Sequence, residues 1–315
     1  MSKQPIIVLT GPTAVGKTAL SIKLAKDING SIISADSMQV YKYMDVGSAK
    51  ITKDEMDGVK HYLIDILDPK DEFNIFLFKK YAKEAMEDIY SKGKIPIVAG
   101  GTGFYIQSLI YDIDFTEDED NSEIREKYEN ILQEKGKEYL YELLKQVDIK
   151  STENIHMNNT KRVIRALEYY DINKLPISKH NEEEGLKESP YNFEYFVLTK
   201  NREKLYNDID RRVDIMLDNG LVDEVIRLKD MGLSRENISM QGIGYKEILD
   251  YLDGKTSLEE AVYIIKRDTR HFAKRQLTWF RSEKKVTFID KDLYKDENEI
   301  LKHMKEILVK DGIIQ

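Results

Sequence analysis

Gly11-Pro12-Thr13-Ala14-Val15-Gly16-Lys17-Thr18 follows directly on the apolar run Ile6-Ile7-Val8-Leu9. The octapeptide has the form G-x-x-x-x-G-K-[ST], between an expected strand, Ile6–Thr10, and an expected helix from about Thr18 to Asp27. In that setting it is a phosphate-binding loop. Its glycines let successive backbone N–H groups turn inward around an anion. The helix behind it directs its positive N-terminal end at the same point. Lys17 adds a full charge, and the Thr18 hydroxyl is a candidate ligand for Mg²⁺. The ligand class is therefore a polyphosphate.

Outward from this loop, strand and helix alternate. Ser31–Ser34 reads as a second strand, ending in Ala35-Asp36-Ser37. His61–Ile66 reads as a third, Phe76–Lys92 as a helix, and Ile95–Ala99 as a buried strand running into Gly100-Gly101-Thr102-Gly103. Such alternation predicts an α/β fold with a parallel sheet and right-handed crossovers. Ligands of such sheets bind beyond the carboxyl ends of the strands. Three of those ends carry suggestive groups: the P-loop, Asp36-Ser37, and the second glycine loop with Thr102. A carboxylate placed like Asp36 can be a metal ligand, a cap or a general base. The second glycine loop is either a plain turn or a place where another ligand group comes close.

Beyond the strongly acidic stretch Glu117–Glu123 the character changes. Residues 122 to about 175 are rich in Glu, Lys, Leu and Tyr and contain no credible strand. One helix covers Lys161–Glu168, with Arg162 and Arg165 three apart on one face. Ser178–Ser189 reads as a polar loop and Phe193–Leu198 as a strand. The remainder reads as helical, with turns at Gly220, Gly232 and Gly254. The domain organisation expected is a P-loop core in two parts, 1–116 and 191–315, interrupted by a helical insertion, 117–190.

Composition narrows the function further. The 315 residues hold no cysteine, which excludes disulfides and zinc–thiolate sites and favours a cytoplasmic setting. No apolar run approaches membrane-spanning length, and the first strand begins too early to leave room for a signal peptide. The net charge of −8 argues on its face against nucleic-acid binding. Yet Lys266, Arg267, Arg270, Lys274, Arg275, Arg281, Lys284 and Lys285 fall within one segment, against only Asp268 and Glu283. That surplus marks either an anion-binding surface or a solvated helix face.

Read in order, GPTAVGKT, ADSMQVY, HYLIDI with Asp68-Pro69, AGGTGFYIQ, KRVIRALE, QGIGYKE and TRHFAKRQLTWFR resemble the bacterial tRNA dimethylallyltransferases. The matches run from Ile6 to Arg281. QGIGYKE and KRQLTWFR are the blocks most specific to the tRNA enzymes. Where the family often has Ser in the P-loop, this chain has Val15. The zinc finger of eukaryotic members is ruled out by the lack of cysteine.

The resemblance implies a P-loop NTPase-like fold and a reaction. A dimethylallyl group passes from dimethylallyl diphosphate to the exocyclic amine of the adenosine 3′ of the anticodon, in tRNAs reading codons that start with U. Diphosphate is the leaving group. Gly11 to Thr18 would hold that diphosphate, with Lys17, a Mg²⁺ ion on Thr18, and an arginine neutralising it. Arg212 is the expected arginine, with the neighbouring pair Arg211-Arg212 leaving the register open by one. Asp36 would be the base and Thr102 a donor to the bridging oxygen. Asp36, Ser37, Met38, Gln39, Thr102, Arg125, Lys161, Arg162, Arg165, Gln241 and Lys246 match positions that contact tRNA, and the insertion is expected to grip the anticodon stem. The protein is expected to act as a monomer. An adenylate isopentenyltransferase, an ATP-dependent kinase and a non-catalytic P-loop RNA-binding module remain alternatives at this point.

Overall fold

The computed structural model describes residues 3–113 and 122–315. Most of the acidic stretch, Glu117–Asp120, and the expected boundary at 116/117 lie outside them. The chain divides into two compact units, residues 113–189 and the two segments that flank them.

The flanking unit is built on a six-stranded parallel sheet. In chain order its strands are β1 (Pro5–Thr10), β2 (Gly30–Ala35), β3 (His61–Tyr62), β4 (Ile95–Gly100), β5 (Asn192–Thr199) and β6 (Thr287–Asp290), arranged β3-β2-β4-β1-β5-β6. Both faces are covered, which is why β1 reads as an unbroken apolar run rather than an alternating one. Ile6 and Val8 point into one core, with α2 (Ile75–Ser91), α3 (Gly103–Ile110), α8 (Leu221–Asp230), α9 (Tyr245–Leu252) and α10 (Leu258–Ser282). Ile7 and Leu9 point into the other, with α1 (Lys17–Asp27), α7 (Arg202–Asp218) and α11 (Glu297–Lys310). The order places the end of β1 beside β4 and β5, where the crossovers part in opposite directions. Thr10, Gly100 and Ala35 lie in one register across β1, β4 and β2. The P-loop, the second glycine loop and Asp36 therefore leave the sheet side by side, about 5 Å per strand apart.

The insertion has its own core, formed by Tyr128, Leu140, Leu144, Val163, Ile164, Ala166 and Leu167. Its helices are α4 (Ser122–Val147), α5 (Thr160–Asn173) and α6 (Ile177–Leu186). Gly136, at φ 80°, divides α4 in two. Asp148 ties the unit together: its carboxylate accepts from the N–H and hydroxyl of Ser151 and from those of Ser178.

Three readings of the sequence need correction. The strand expected over His61–Ile66 stops at Tyr62. Leu63 and Asp65 adopt positive φ, and the N–H groups of Asp65, Ile66 and Leu67 bond to Gln39 and Val40 in the loop after β2. The polar stretch Ser178–Ser189 is largely helix α6, begun by Pro176 and bonded at Ser178 to Asp148. It buries no residue, so it shows no apolar stripe to read. Finally, the remainder after β5 is not all helical, because Thr287–Asp290 adds the edge strand β6 alongside β5.

Candidate active site

A cavity of about 450 Å³ opens at the carboxyl edge of the sheet, lined by the P-loop from Thr13 to Thr18, by Asp36 and Gln39, and by Gly100 and Gly101. Five cationic residues line it, Lys17, Lys200, Arg211, Arg212 and Lys291, against the carboxylates Asp36 and Asp208. Such an excess in a partly enclosed space attracts a multiply charged anion.

The P-loop supplies its floor. Gly16 takes φ +93° at the start of α1, a conformation costly for any side chain. No side chain caps the helix there and its first turn holds no acid, so the leading amides stay open to an anion. Val15 is buried in the core. Lys17 Nζ donates to the carbonyls of Gly11 and Pro12, each at 2.9 Å. Burial, and then the nearby Arg212, pull its pKa down to about 7, while Asp36 acts in the opposite sense. The Thr18 hydroxyl has no hydrogen-bond partner among the described residues and faces the cavity. No cluster of three or more His, Cys, Asp or Glu side chains able to hold a metal occurs among the described residues.

The structure separates the two neighbouring arginines. Arg212 Nη1 donates to Thr13 Oγ1 at 3.4 Å, and burial lowers its pKa while Asp36 opposes the shift. Arg211 is 73% exposed and bonded to Asp208 at 2.7 Å. Arg212 is the one held against the P-loop.

Asp36 plays two parts. Its Oδ1 accepts from the N–H of Met38 at 2.8 Å and, more weakly, from that of Gln39 at 3.4 Å, so it does cap the loop. Its Oδ2 takes no hydrogen bond and the side chain lines the cavity. Thr102 lies against the same strand end, its N–H donating to Ala35 O at 3.2 Å and its hydroxyl unengaged within the described residues. Gln39 has a scaffolding role: its amide accepts from Ser34 Oγ and donates to the carbonyls of Ser48 and Ala49.

The second glycine loop serves packing. A Cβ on Gly101 would overlap the amide nitrogen of Gln276, and one on Gly103 would overlap the Trp279 ring. The small residues admit α10, and Gly100 and Gly101 of the same loop also line the cavity.

Other residues singled out from the sequence fall into two groups. Gln241 bonds to the carbonyl of Arg235, and Lys246 pairs with Glu247 at 3.5 Å. A Cβ on neighbouring Gly242 would lie 2.7 Å from Met38 Cε, so the QGIG and DSMQ loops touch. In the insertion, Lys161, Arg162 and Arg165 share the exposed side of α5 opposite Val163, Ile164, Ala166 and Leu167, while Arg125 on α4 pairs with Glu168 at 3.5 Å. The basic segment on α10 is less basic than it reads. Lys266, Arg267 and Arg270 are paired with Asp214, Asp268 and Asp210.

Sequence reasoning missed Lys200, Lys291 and Gln276. Lys200 follows β5 and Lys291 follows β6, so both obey the strand-end rule already applied to the P-loop and Asp36. Lys200 pairs with Asp208, and Lys291 Nζ donates to Val15 O at 3.2 Å. β5 was legible and its end could have been searched; β6 was not.

Comparison with known proteins places the chain in a family. Residues 39–283 match the IPP transferase family. The tRNA dimethylallyltransferase of Lachnoclostridium phytofermentans is 58% identical, over 99% of this chain and 100% of its own length. Among solved structures, the tRNA delta(2)-isopentenylpyrophosphate transferase of Staphylococcus epidermidis is 43% identical, with TM-score 0.73 over 98% of this chain and 99% of its own. A eukaryotic dimethylallyltransferase acting on tRNA is 29% identical, with TM-score 0.81 over 98% of this chain and 79% of its own. With a P-loop, an open strand-end carboxylate and these relatives along nearly its whole length, the chain belongs to the IPP transferase family, the prenyltransferases that include the tRNA dimethylallyltransferases.

Proposed function

We propose that this enzyme moves the dimethylallyl group of dimethylallyl diphosphate onto the exocyclic amine of the adenosine 3′ of the anticodon, in cytoplasmic tRNAs reading codons that start with U. The observation that carries the reading is a single cavity with a cationic phosphate floor at one side and the unbonded Oδ2 of Asp36 at another. A kinase would need an acceptor oxygen in line with a terminal phosphate. Transfer from carbon needs instead a held diphosphate and a base for the incoming amine.

The leading amides of α1, Lys17 and Arg212 hold the diphosphate and neutralise the charge that grows on it as the carbon–oxygen bond breaks. Lys200 and Lys291 add to the same field. Thr102 donates its hydroxyl to the bridging oxygen. The adenine amine is a poor nucleophile because its lone pair is delocalised into the ring. Asp36 Oδ2 takes its proton as the carbon–nitrogen bond forms, a contribution of roughly 10²–10⁴ in rate. The Thr18 hydroxyl suits a magnesium ion that arrives with the diphosphate, since Mg²⁺ takes few protein ligands and keeps phosphate and water oxygens. When bound, that ion would supply further neutralisation of the leaving group.

The target base leaves its stack in the anticodon loop to be reached, as loop-reading proteins generally require. The DSMQ loop, Gln241 and Lys246 would read it from the core unit. Arg125, Lys161, Arg162 and Arg165 of the insertion would hold phosphates of the anticodon stem. The test is mass spectrometry of that nucleoside after incubation with dimethylallyl diphosphate, Mg²⁺ and a tRNA reading U-initial codons. Unmodified adenosine from that mixture, with phosphate transfer from ATP in a parallel one, would restore the kinase reading.

A further inference from the structure

Helix α10 turns Ala273, Gln276 and Phe280 into the protein, at the i, i+3, i+7 spacing of a buried stripe. A glutamine on such a stripe is unfavourable unless both ends of its amide are satisfied. Gln276 is 6% exposed, and main-chain groups of two different loops satisfy it. Its Oε1 accepts from the N–H of Thr13 in the P-loop at 2.9 Å, and its Nε2 donates to the carbonyl of Gly101 at 3.0 Å. Thr13 is held from its other side by Arg212. Gly101 directly precedes Thr102. One turn further along α10, Trp279 packs into the space left by Gly103.

We infer that Gln276 is a positioning residue that fixes the P-loop and the Thr102 loop at one separation. It sits inside the block KRQLTWFR, whose charged members suggested an anion-binding surface, but its own amide is buried against the two loops. The two loops leave neighbouring strands, β1 and β4, whose pairing ends at Thr10 and Gly100 with Thr10 Oγ1 donating to Gly100 O at 2.7 Å, and beyond that point the Gln276 amide spans them from outside the sheet. Because the Thr13 N–H is spent on this bridge, the anion is left to the amides nearer α1. The bridge sets the distance between the held diphosphate and the Thr102 hydroxyl. Its catalytic consequence rests on the prenyl-transfer reading; its geometry does not.

The two arms can be cut separately. Gln276→Glu keeps an acceptor for Thr13 N–H but has no donor for the Gly101 carbonyl. Gln276→Met keeps the volume and loses both arms. For Gln276→Glu we expect a single-turnover rate roughly 10–100-fold down at saturating tRNA, since displacement of a positioned group by an ångström costs on that order. Affinity for tRNA should stay within about 3-fold, while the added carboxylate, on a residue that lines the cationic cavity, should weaken binding of inorganic diphosphate. Gln276→Met, which adds no charge, should lower the single-turnover rate as well, with tRNA affinity unchanged. A weakened tRNA affinity with an unchanged single-turnover rate would make Gln276 an RNA contact and overturn the inference. Hydrogen exchange on the wild-type protein gives a readout that needs no variant and no activity. The Thr13 amide should be protected without ligand, whereas the amides of Lys17 and Thr18 should become protected only when inorganic diphosphate is added. Rapid exchange at Thr13 would sink the bridge. Absence of prenylated nucleoside from the wild type would instead sink the function reading and leave the bridge to be judged by exchange alone.

Discussion

Each compact unit holds an aspartate at a loop end, and the two are used in opposite ways. Asp148 in the insertion is 4% exposed, and its two oxygens accept four hydrogen bonds from Ser151 and Ser178. Burial pushes its pKa up, but those bonds outweigh it and hold the carboxyl below the usual range. Asp36 in the core unit is half-buried, gives one oxygen to its own loop and leaves the other facing a cavity. The contrast extends beyond these residues. The insertion closes its polar groups on one another around a small apolar core. The core unit leaves Thr18, the free oxygen of Asp36 and an uncapped helix start at Gly16 lining one space. A folded unit normally satisfies its buried polar groups internally. Where open ones gather in a cavity lined by five cationic residues, an anionic ligand is the simplest account.

The sharpest way to break that contrast is Asp36→Asn. The amide can still accept from Met38 and Gln39, so the loop and the melting temperature should survive. The base is lost, and single-turnover transfer should fall by roughly 10²–10⁴. A rate within about 3-fold of wild type would reduce Asp36 to the cap it also is. Asp148→Ala should do the reverse. Removing a buried carboxylate from four donors should cost about 3 kcal/mol of unfolding free energy, read by urea denaturation, with diphosphate affinity unchanged. Because its folded pKa is depressed, the stabilisation is fully present above the unfolded value of about 3.9 and fades as pH falls through the folded one. The wild-type advantage over Asp148→Asn should therefore shrink in strong acid.

Legibility followed the same divide. The P-loop could be read because its glycine spacing is imposed by local backbone geometry, and Asp36 because it ends a strand that periodicity reveals. Lys200 and Lys291 reach the cavity from strands far away in sequence, and only the sheet order brings them there. Gln276 was hidden among charged neighbours, since nothing in KRQLTWFR says which face of α10 is inward. β3 was overcalled because Leu63 and Ile66 look like strand residues, while the turn that removes them is built by bonds to Gln39 and Val40. α6 was overlooked for want of a buried face.

Lys17 sharpens the comparison through protons. Its pKa is drawn down from 10.5 to about 7 in the free protein, so between those values the folded state holds fewer protons than the unfolded one. Stability should rise with pH across that window, and no further below it. A bound diphosphate supplies the missing counter-charge and should draw the proton back. Titration calorimetry at pH 8, in buffers of differing ionisation enthalpy, should show wild type taking up as much as one proton more than Lys17→Met. Equal uptake by the two would mean that Lys17 is already fully charged.

The smallest expected effect concerns the surface of α10. Lys274 and Arg275 are free of carboxylate partners among the described residues, unlike Lys266 and Arg270. Reversing both charges should flatten the slope of log affinity for tRNA against log salt by about 1.5–2, at 0.7–0.9 per phosphate contact. An unchanged slope would make this face a solvated one and leave RNA binding to the insertion.

The position of β1 has a consequence for how the chain is made. It is made before the other strands of this sheet, yet it lies inside the sheet, between β4 and β5. β5 begins at Asn192, after the whole insertion. At 5–20 residues per second, β1 waits roughly 10–40 s with one edge unpaired. The insertion, with a core of its own, can fold during that wait. The nascent core unit meanwhile offers the apolar edge Ile6–Leu9 to whatever is near. Val15 of the P-loop is thus made 276 residues before Lys291, the β6-end residue that bonds to it.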